Sequence, residues 1–242
     1  MTLKKNLKRA LLITISIVIL LIGIVFYNIS PMLFMNPTET GSIPNTDIYA
    51  IKNARNTIYF IKTENSYIMI DAGSDVTGLE TSLKEHEIHT NDVKWIFLTH
   101  SDYDHVAALS LFPNATVYMG EDELDLVNGT IKRNAFSNNS IPTSVGISLL
   151  KDGEELLFDD AKIECIHAPG HTNGSMLYLI DETYLFTGDA FMIRNGKLDV
   201  HPFTMDKERS KQTIEMQKEL INNNNYIVFT SHYGYYDNVQ FE

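Results

Sequence analysis

The pattern of apolar and polar positions divides the chain into an apolar N-terminus and a long region of short alternating elements. Beyond residue 46, short apolar runs end in polar turns, which is typical of buried strands. Segments 76–87 and 207–222 carry apolar residues at helical spacing, and a third helix is expected to begin near Asp104. The predicted strands are 47–51, 57–62, 66–70, 94–99, 115–119, 146–150, 162–167, 175–180, 183–187 and 226–231. This order predicts a mixed fold of helices and sheets.

The N-terminus has the composition of a membrane anchor. Residues 1–9 are basic and contain no acid, and residues 10–27 are apolar except for Thr14, Ser16 and Gly23. This stretch approaches the roughly 20 residues that span a bilayer as a helix, and it exceeds the roughly 7–15 residues of a signal-peptide core. No Ala-x-Ala-like cleavage site follows it. We therefore expect an uncleaved anchor, with a cleaved and secreted protein as the alternative.

The charges beside the anchor predict its orientation, because positive residues stay on the cytoplasmic side of a membrane. No comparable basic cluster follows the apolar stretch, whereas the residues that precede it include Lys4, Lys5, Lys8 and Arg9. The prediction is a single-pass protein of the cell membrane. Its segment 1–9 is cytoplasmic, its anchor is 10–27, and its catalytic domain is extracytoplasmic.

The rest of the chain is expected to form one domain behind a linker. Residues 28–45 contain Pro31, Pro37 and Pro44, which is typical of a tether. Residues 46–242 are enough for one large core but not for two domains of ordinary size.

Charge and cysteine content narrow the possible partners and stabilising features. The formal net charge is −12 although the N-terminus is basic, so the predicted domain is strongly acidic and a poor binder of nucleic acid. The single cysteine, Cys165, excludes an intrachain disulfide and is expected to be a buried packing residue. The sequence indicates a small-molecule substrate, and no protein partner can be inferred from it.

Potential metal ligands follow several predicted strands. Four of them lie in the segment from Thr99 to His105, directly after the apolar run 95–98. Three later apolar runs each lead to one more potential ligand. Strand ends that carry imidazoles and carboxylates to one place predict a metal site. In chain order the ligands are His100, Asp102, Asp104, His105, His171, Asp189 and His232.

The ordered motifs resemble those of the metallo-β-lactamase superfamily of dinuclear metal hydrolases. The matching stretches are Ile70-Asp71-Ala72-Gly73, His100-Ser101-Asp102-Tyr103-Asp104-His105, Gly170-His171-Thr172, Thr187-Gly188-Asp189 and Ser231-His232-Tyr233-Gly234. The resemblance implies an α+β fold, the αββα sandwich, here preceded by one transmembrane helix. It also implies two divalent metal ions. The first would be held by His100, Asp102 and His171, the second by Asp104, His105 and His232, with Asp189 between them.

The chain departs from the family pattern at Asp102, where the family has histidine, which gives the variant His-x-Asp-x-Asp-His. With a hydroxide, the three aspartates would cancel the charge of two divalent ions, so the site should acidify its water less. A hard oxygen ligand also shifts preference away from zinc. We expect zinc, with manganese or iron as alternatives because of Asp102.

Roles beyond metal binding are assigned to few residues. The resemblance makes Asp104 the candidate to orient the nucleophilic water and to take part in proton transfer. Tyr233 is a candidate substrate contact, Asp71 is expected to fix a turn without binding metal, and His201 is expected to have a structural or surface role. The histidines expected to stand apart from the site are His86, His89 and His167.

Three functions remain open on the sequence. The leading one is hydrolysis of a small ester, thioester, lactone or phosphodiester outside the cytoplasmic membrane. The alternatives are a diiron oxidoreductase of flavodiiron type, because that branch also has a carboxylate at the position of Asp102, and a non-catalytic metal-binding protein. The Asn-rich stretch 134–139 is expected to be an exposed loop near the active-site mouth.

Overall fold

The computed structural model describes residues 2–134, 139–142, 146–194, 196–237 and 241. It forms two compact units, Met1–Met35 and Asn36–Glu242, which we call the N-terminal unit and the main unit. The N-terminal unit consists of helix α1, Thr2–Ile29, and a 3₁₀ turn, Ser30–Phe34. Within α1, Asn6–Phe26 has a mean hydropathy of 2.7 and is long and apolar enough to cross a membrane. A signal sequence would meet the same criterion, so the membrane anchor stays a prediction.

The main unit contains two mixed sheets. The seven strands of the first sheet lie in chain order, β1 to β7, and are Gly41–Ser42, Ile48–Asn53, Asn56–Lys62, Tyr67–Ile70, Val93–Phe97, Thr116–Gly120 and Ile147–Leu150. The second sheet has six strands, which are β8 Glu155–Phe158, β9 Ala161–His167, β10 Met176–Ile180, β11 Tyr184–Gly188, β14 Ile227–Thr230 and β15 Tyr235–Tyr236. A separate hairpin joins β12, Met192–Arg194, to β13, Lys197–Asp199.

Helices cover the outer faces of the two sheets. The helices of the main unit are α2 Val76–Glu85, α3 Tyr103–Val106, α4 Leu124–Val127 and α5 Lys207–Asn223. Leu79 and Leu83 of α2 pack in an apolar cluster with Phe60 and Ile96 of the first sheet. These contacts place α2 on the outer face of that sheet.

The second sheet has the same arrangement on its own outer face. Ile214 and Ile221 of α5 pack with Leu177 and Val228. A third cluster lies between the sheets and joins residues of both, among them Tyr59, Phe97, Tyr178, Phe186 and Phe229. Apolar faces on both sides of each sheet give the four layers of an αββα sandwich, which confirms the predicted fold.

The structure differs from the predicted elements mainly at short strands. The main unit begins at Asn36, because β1 pairs with β2 and Ile43 is buried. Part of the segment predicted as a linker, 28–45, therefore packs in the main unit; its proline and glycine content does not prevent edge pairing. Strands β8, β12, β13 and β15 were also absent from the prediction, since runs of two to four residues carry too little periodicity to be recognised.

Parallel pairing aligns the strand ends that carry the polar clusters. β4 pairs in parallel with β5, and β11 with β14, so each pair ends at the same edge of its sheet. The register of β11 shifts at Gly188, which has a φ of 53°. A Cβ atom there would overlap the Thr99 side chain, so this turn between β11 and Asp189 requires glycine.

Candidate metal centre

The predicted ligands converge in the main unit. His100 and Asp102 follow β5, His105 lies in α3, and His171 lies between β9 and β10. Asp189 follows β11 directly. His232 follows β14, and all the histidines of this group are buried. We call the seven predicted ligands the ligand cluster.

One carboxylate oxygen, Asp189 Oδ2, lies at the centre of the ligand cluster. The imidazole Nε2 atoms around it belong to His232 at 3.2 Å, His105 at 3.6 Å, His171 at 3.7 Å and His201 at 3.6 Å. Two ligands that bind one ion at about 2.0–2.2 Å lie about 3.4 Å apart in tetrahedral geometry. These separations therefore suit a shared metal ligand.

The first predicted ligand set surrounds Asp102. Its Oδ2 atom lies 3.5 Å from His100 Nε2 and 3.2 Å from His171 Nε2. The same carboxylate accepts hydrogen bonds from Arg133 Nε at 2.8 and 2.9 Å, and Asn139 Nδ2 donates to it at 3.0 Å. Asp102 thus has both a cationic and an amide partner beside the two imidazoles.

The second predicted set surrounds Asp104. Its Oδ2 atom lies 3.4 Å from His232 Nε2 and 3.8 Å from His105 Nε2. The Asp104 side chain is 42% exposed, whereas the two imidazoles are buried. Asp104 therefore lies on the solvent side of its set.

Hydrogen bonds at Nδ1 direct three imidazoles toward the cluster. His105 Nδ1 donates to Asp71 Oδ2 at 2.8 Å, and His232 Nδ1 donates to the Arg55 carbonyl at 2.5 Å. His100 Nδ1 donates to Thr99 Oγ1 at 3.1 Å, because that hydroxyl already donates to Asp71. A ligating histidine whose other nitrogen is fixed in this way presents Nε2 in one orientation and is more basic.

Asp71 has a supporting position that agrees with its predicted role at a turn. Its φ is 59°, and its carboxylate accepts the Thr99 backbone N–H at 2.8 Å in addition to the bonds from Thr99 Oγ1 and His105. Asp71 thereby joins the end of β4 to the segment after β5 and to α3.

A buried glutamate, Glu123, ties two of the ligand-bearing segments together. Its Oε1 atom accepts from the Ser101 N–H at 2.7 Å and from Ser101 Oγ at 2.6 Å. Its Oε2 atom accepts from Thr172 Oγ1 at 2.7 Å and from the Gly174 N–H at 3.2 Å. These bonds fix the segment after His100 against the segment after His171.

Burial and neighbouring charges act in opposite directions on the pKa values of the cluster. Burial acts to lower the pKa of His232, but the charge of Asp189 and hydrogen bonds to Asp104 and Asp189 outweigh it and raise that pKa to about 10. Burial likewise acts against a high pKa of His105, yet the adjacent carboxylates, Asp71 foremost, raise it well above its usual value. For His171, burial prevails and its pKa is lowered.

The carboxylates of the cluster are held in the ionised form. Burial acts to raise the pKa of Asp102, Asp104 and Asp189, but the surrounding imidazoles outweigh it and lower all three. Arg133 adds to this effect at Asp102. The cluster therefore presents three carboxylates at neutral pH.

Unpartnered polar atoms show that the cluster fits metal ions. Among the described residues, His100 Nε2 and Asp189 Oδ1 are buried at the cluster without a hydrogen-bond partner. Such atoms are costly to bury unless another partner is bound. Ligand atoms within 4.8 Å of one another form the groups His100–His171–Asp189, Asp104–His105–His232 and Asp189–His201–His232. The donor set of imidazoles and carboxylates suits zinc, iron or manganese.

The sequence analysis expected a structural or surface role for His201, and the structure excludes the surface position and places this residue beside the ligand cluster. It is 1% exposed, and its ring lies 4.8 Å from that of His171 between centroids. Burial lowers the pKa of His201 to about 3, so the imidazole is neutral. It follows the polar hairpin of β12 and β13, so no apolar strand marked it, whereas apolar strands marked the seven predicted ligands.

Sequence reasoning also missed the partners of Asp102. The predicted exposed loop 134–139 lies partly outside the described residues, but Asn139 at its end is buried and bonds Asp102 and Ser101. Arg133 Nη2 further donates to the Phe203 carbonyl at 2.6 Å and lies 3.2 Å from His171 Nε2. Neither residue stands in a motif, so only the folded chain brings them to the site.

The remaining predictions concern isolated residues. The Tyr233 hydroxyl is buried without a partner among the described residues, and its ring lies 6.4 Å from that of His232. Burial raises its pKa, so it remains a hydroxyl. Cys165 is buried between the sheets, as predicted. The isolated histidines contribute to none of the three ligand groups, as expected, and these are His86, His89 and His167.

Comparison with known protein families identifies the family whose sequence pattern this chain matches. The model of the metallo-beta-lactamase superfamily matches residues 54–232, a range that includes every predicted ligand.

Curated relatives match part of the chain. It is 34% identical over 127 residues to the probable polyketide biosynthesis zinc-dependent hydrolase PksB of Bacillus subtilis, a match that covers 51% of this chain and 49% of PksB. It is 22% identical over 157 residues to the anaerobic nitric oxide reductase flavorubredoxin homolog of Escherichia coli O157:H7, covering 63% of this chain and 37% of that protein. The chain thus spans about half or less of the length of these two curated relatives.

A solved structure supports the fold. The subclass B3 metallo-beta-lactamase BJP-1 of Bradyrhizobium japonicum is similar with a TM-score of 0.64 at 16% identity, over 83% of this chain and 80% of BJP-1. The similarity extends over both sheets of the main unit, because it covers most of each chain.

Proposed function

This chain belongs to the metallo-β-lactamase superfamily, and from that premise we propose that it is a hydrolase with a dinuclear metal centre. The observation that carries the proposal is Asp189 Oδ2, which lies within 3.2–3.7 Å of imidazoles from both predicted ligand sets. A carboxylate in that position can be shared by two ions. The zinc-dependent relative PksB supports zinc as the metal, and Asp102 keeps manganese and iron as alternatives.

The two ions would be held by separate sets of residues. His100, Asp102 and His171 would hold the first, and Asp104, His105 and His232 the second, with Asp189 common to both. When bound, two such ions supply a nucleophile from water near neutral pH and polarise the bond that is attacked.

Asp104 is the residue that we assign to the reacting water. Its carboxylate is ionised and partly open to solvent, while the other two carboxylates of the cluster are more buried. It can therefore accept a hydrogen bond from an approaching water and hold it in line for attack. Asp104→Asn should lower turnover while metal content is kept, and unchanged turnover with full metal content would remove Asp104 from the mechanism.

Tyr233 is the proposed substrate contact. Its hydroxyl has no partner among the described residues and remains protonated, so it can donate a hydrogen bond to a substrate oxygen. Tyr233→Phe should raise KM more than it lowers kcat if the contact is made in the ground state.

The proposed substrate is a small ester, thioester, lactone or phosphodiester, because the same pair of ions serves carbonyl and phosphoryl electrophiles. The chain should be purified in detergent, analysed for metal by mass spectrometry and screened against these four classes. About two zinc or manganese ions with metal-dependent turnover would support the hydrolase. Absence of bound metal would refute it and favour a non-catalytic protein.

A diiron oxidoreductase is the second candidate, favoured by the carboxylate of Asp102 and by the flavorubredoxin relative. The two candidates differ in the metal that is retained. Two irons with redox activity would replace the hydrolase proposal.

We further propose that α1 anchors the protein in the cell membrane with residues 1–9 in the cytoplasm and the main unit outside. The support is the apolar span Asn6–Phe26 together with the basic residues before it. External protease added to intact spheroplasts should digest the main unit. Full protection of the main unit, with digestion only after lysis, would overturn this orientation.

A further inference from the structure

Among the described residues, His201 is a buried histidine that lies at the cluster but belongs to neither predicted ligand set. It lies between β13 and α5, where its backbone carbonyl accepts the Thr204 N–H at 3.1 Å. Its imidazole is 1% exposed, and its Nε2 atom lies 3.6 Å from Asp189 Oδ2. The ring is nearly parallel to that of His232, with centroids 5.8 Å apart.

The polar atoms of this imidazole have no partner. Both Nδ1 and Nε2 are buried without a hydrogen bond among the described residues. A buried polar group without a partner costs about 1–3 kcal/mol, so a histidine that served only to fill space would be a poor choice at this position. An aromatic or aliphatic side chain would pack there without that penalty.

We propose that His201 is a further ligand of the second metal ion, beside Asp104, His105 and His232. This inference rests on the proposed dinuclear centre. The distance of His201 Nε2 from Asp189 Oδ2 equals that of His105 Nε2, 3.6 Å, and Asp189, His201 and His232 offer ligand atoms within 4.8 Å of one another. Ligands of one ion are separated by such distances.

The additional imidazole would give the two ions different numbers of histidine ligands. The first ion would have the imidazoles of His100 and His171 with the carboxylate of Asp102. The second would have three imidazoles, those of His105, His201 and His232, with the carboxylate of Asp104. Imidazole-rich sets suit zinc, iron and cobalt, and carboxylate-rich sets suit manganese. The family pattern has a histidine at the position of Asp102, on the first ion. In this chain His201 would supply an imidazole in its place, but to the second ion.

The test compares the full-length protein in detergent with His201→Phe, which keeps a planar ring but removes both nitrogens. The matched control is Thr204→Val, which lies in the same loop and likewise removes a buried polar atom, Oγ1, that has no hydrogen-bond partner among the described residues. Cobalt(II) is added to chelator-treated protein, its affinity is measured by chelator competition, and the hyperfine-shifted imidazole N–H resonances are counted by NMR. His201→Gln is a second variant in case the phenylalanine disturbs folding.

The expected result is a loss of affinity for one of the two cobalt ions of tenfold or more, since even supporting residues of a metal site contribute 10–100-fold. One shifted imidazole resonance should also disappear, while Thr204→Val behaves as the wild type. If His201→Phe and His201→Gln bind both ions with wild-type affinity and the full set of resonances, His201 is not a ligand and the dinuclear centre stands. If the wild type itself binds no cobalt, both proposals fail.

Discussion

The two predicted ligand sets meet at Asp189 but are supported by different parts of the fold. On the side of the second set, His105 donates to Asp71 at the end of β4, and His232 donates to a backbone carbonyl. On the side of the first set, Asp102 depends on Arg133 and Asn139, which lie outside the helices and strands. The second set is therefore positioned by the sheets, and the first is positioned partly by an irregular segment.

The difference also concerns charge. The second set is surrounded by carboxylates, which raise the pKa of its histidines. The first set contains an added carboxylate, Asp102, which is countered by the guanidinium of Arg133 at 2.8 Å. Arg133 therefore restores the positive charge that the exchange of histidine for Asp102 removes.

The largest effect is expected where the two sets meet. Asp189→Asn removes the charge of the shared carboxylate, and we expect a loss of kcat/KM of about 10³-fold, because a metal-assisted step contributes several kcal/mol. Metal content should fall below two ions per chain. The measurement is turnover of the best substrate from the screen together with elemental analysis, and the exposed Asp92→Asn serves as the control. Retention of two ions and full activity would show that the sets do not share Asp189.

A selective effect on the second set is expected from Asp71→Asn. Asparagine tolerates the positive φ of this position and keeps one acceptor, but it removes the charge that makes His105 basic. We expect a 10–100-fold loss of affinity for the ion of the second set, measured by chelator competition. The loss for the other ion should be smaller, because Asp71 reaches His100 only through the Thr99 hydroxyl. Asp159→Asn is a matched control, because Asp159 also has a positive φ and accepts from two hydroxyls, those of Thr63 and Ser66. Equal weakening of both ions would contradict separate support for the two sets.

The contrast between residues held by the sheets and residues held by loops also determines how much of the site could be predicted from the sequence. The predicted ligands follow apolar strands, and strand periodicity with motif order was sufficient to select residues that the structure brings together. His201 follows a short polar hairpin, and Arg133 lies in a segment without periodicity. Their proximity to the cluster arises from loop conformation, which is determined by long-range contacts such as that from Arg133 to the Phe203 carbonyl. No local pattern contains that information.

The same contrast holds for the fold. Long apolar strands such as β3 and β10 and the amphipathic α5 were predicted within a few residues, because burial imposes a period on their sequences. The two-residue strand β1 depends on pairing with β2 and has no period of its own. β1 therefore belongs to the main unit because of its pairing with β2, which the composition of its sequence does not indicate.

A smaller effect is expected at the support of the first set. Asp102→His leaves Arg133 partly buried without its carboxylate, and we expect a loss of about 2 kcal/mol in the free energy of unfolding. A fully buried pair would cost about 3–5 kcal/mol, and these side chains are 19% and 11% exposed. Urea unfolding of the chelator-treated protein measures the loss. The second change Arg133→Gln should recover much of it, and an additive effect of the two changes would show that the pair is not coupled.

The smallest effect is a difference between the two ions in the protons that they displace. In the absence of metal, His232 has a pKa of about 10 and the pKa of His105 is raised as well, so both are protonated at pH 7. An ion that binds the second set must displace these protons, and its affinity should therefore rise with pH by about tenfold per unit for each proton released. The pKa of His171 is lowered, so this first-set residue is already neutral and releases no proton. Calorimetric titration of the chelator-treated protein with cobalt, in two buffers of different ionisation enthalpy, separates the two ions by their proton release. If the two ions released equal numbers of protons, the carboxylates around His105 and His232 would not make the protonation of the second set different from that of the first.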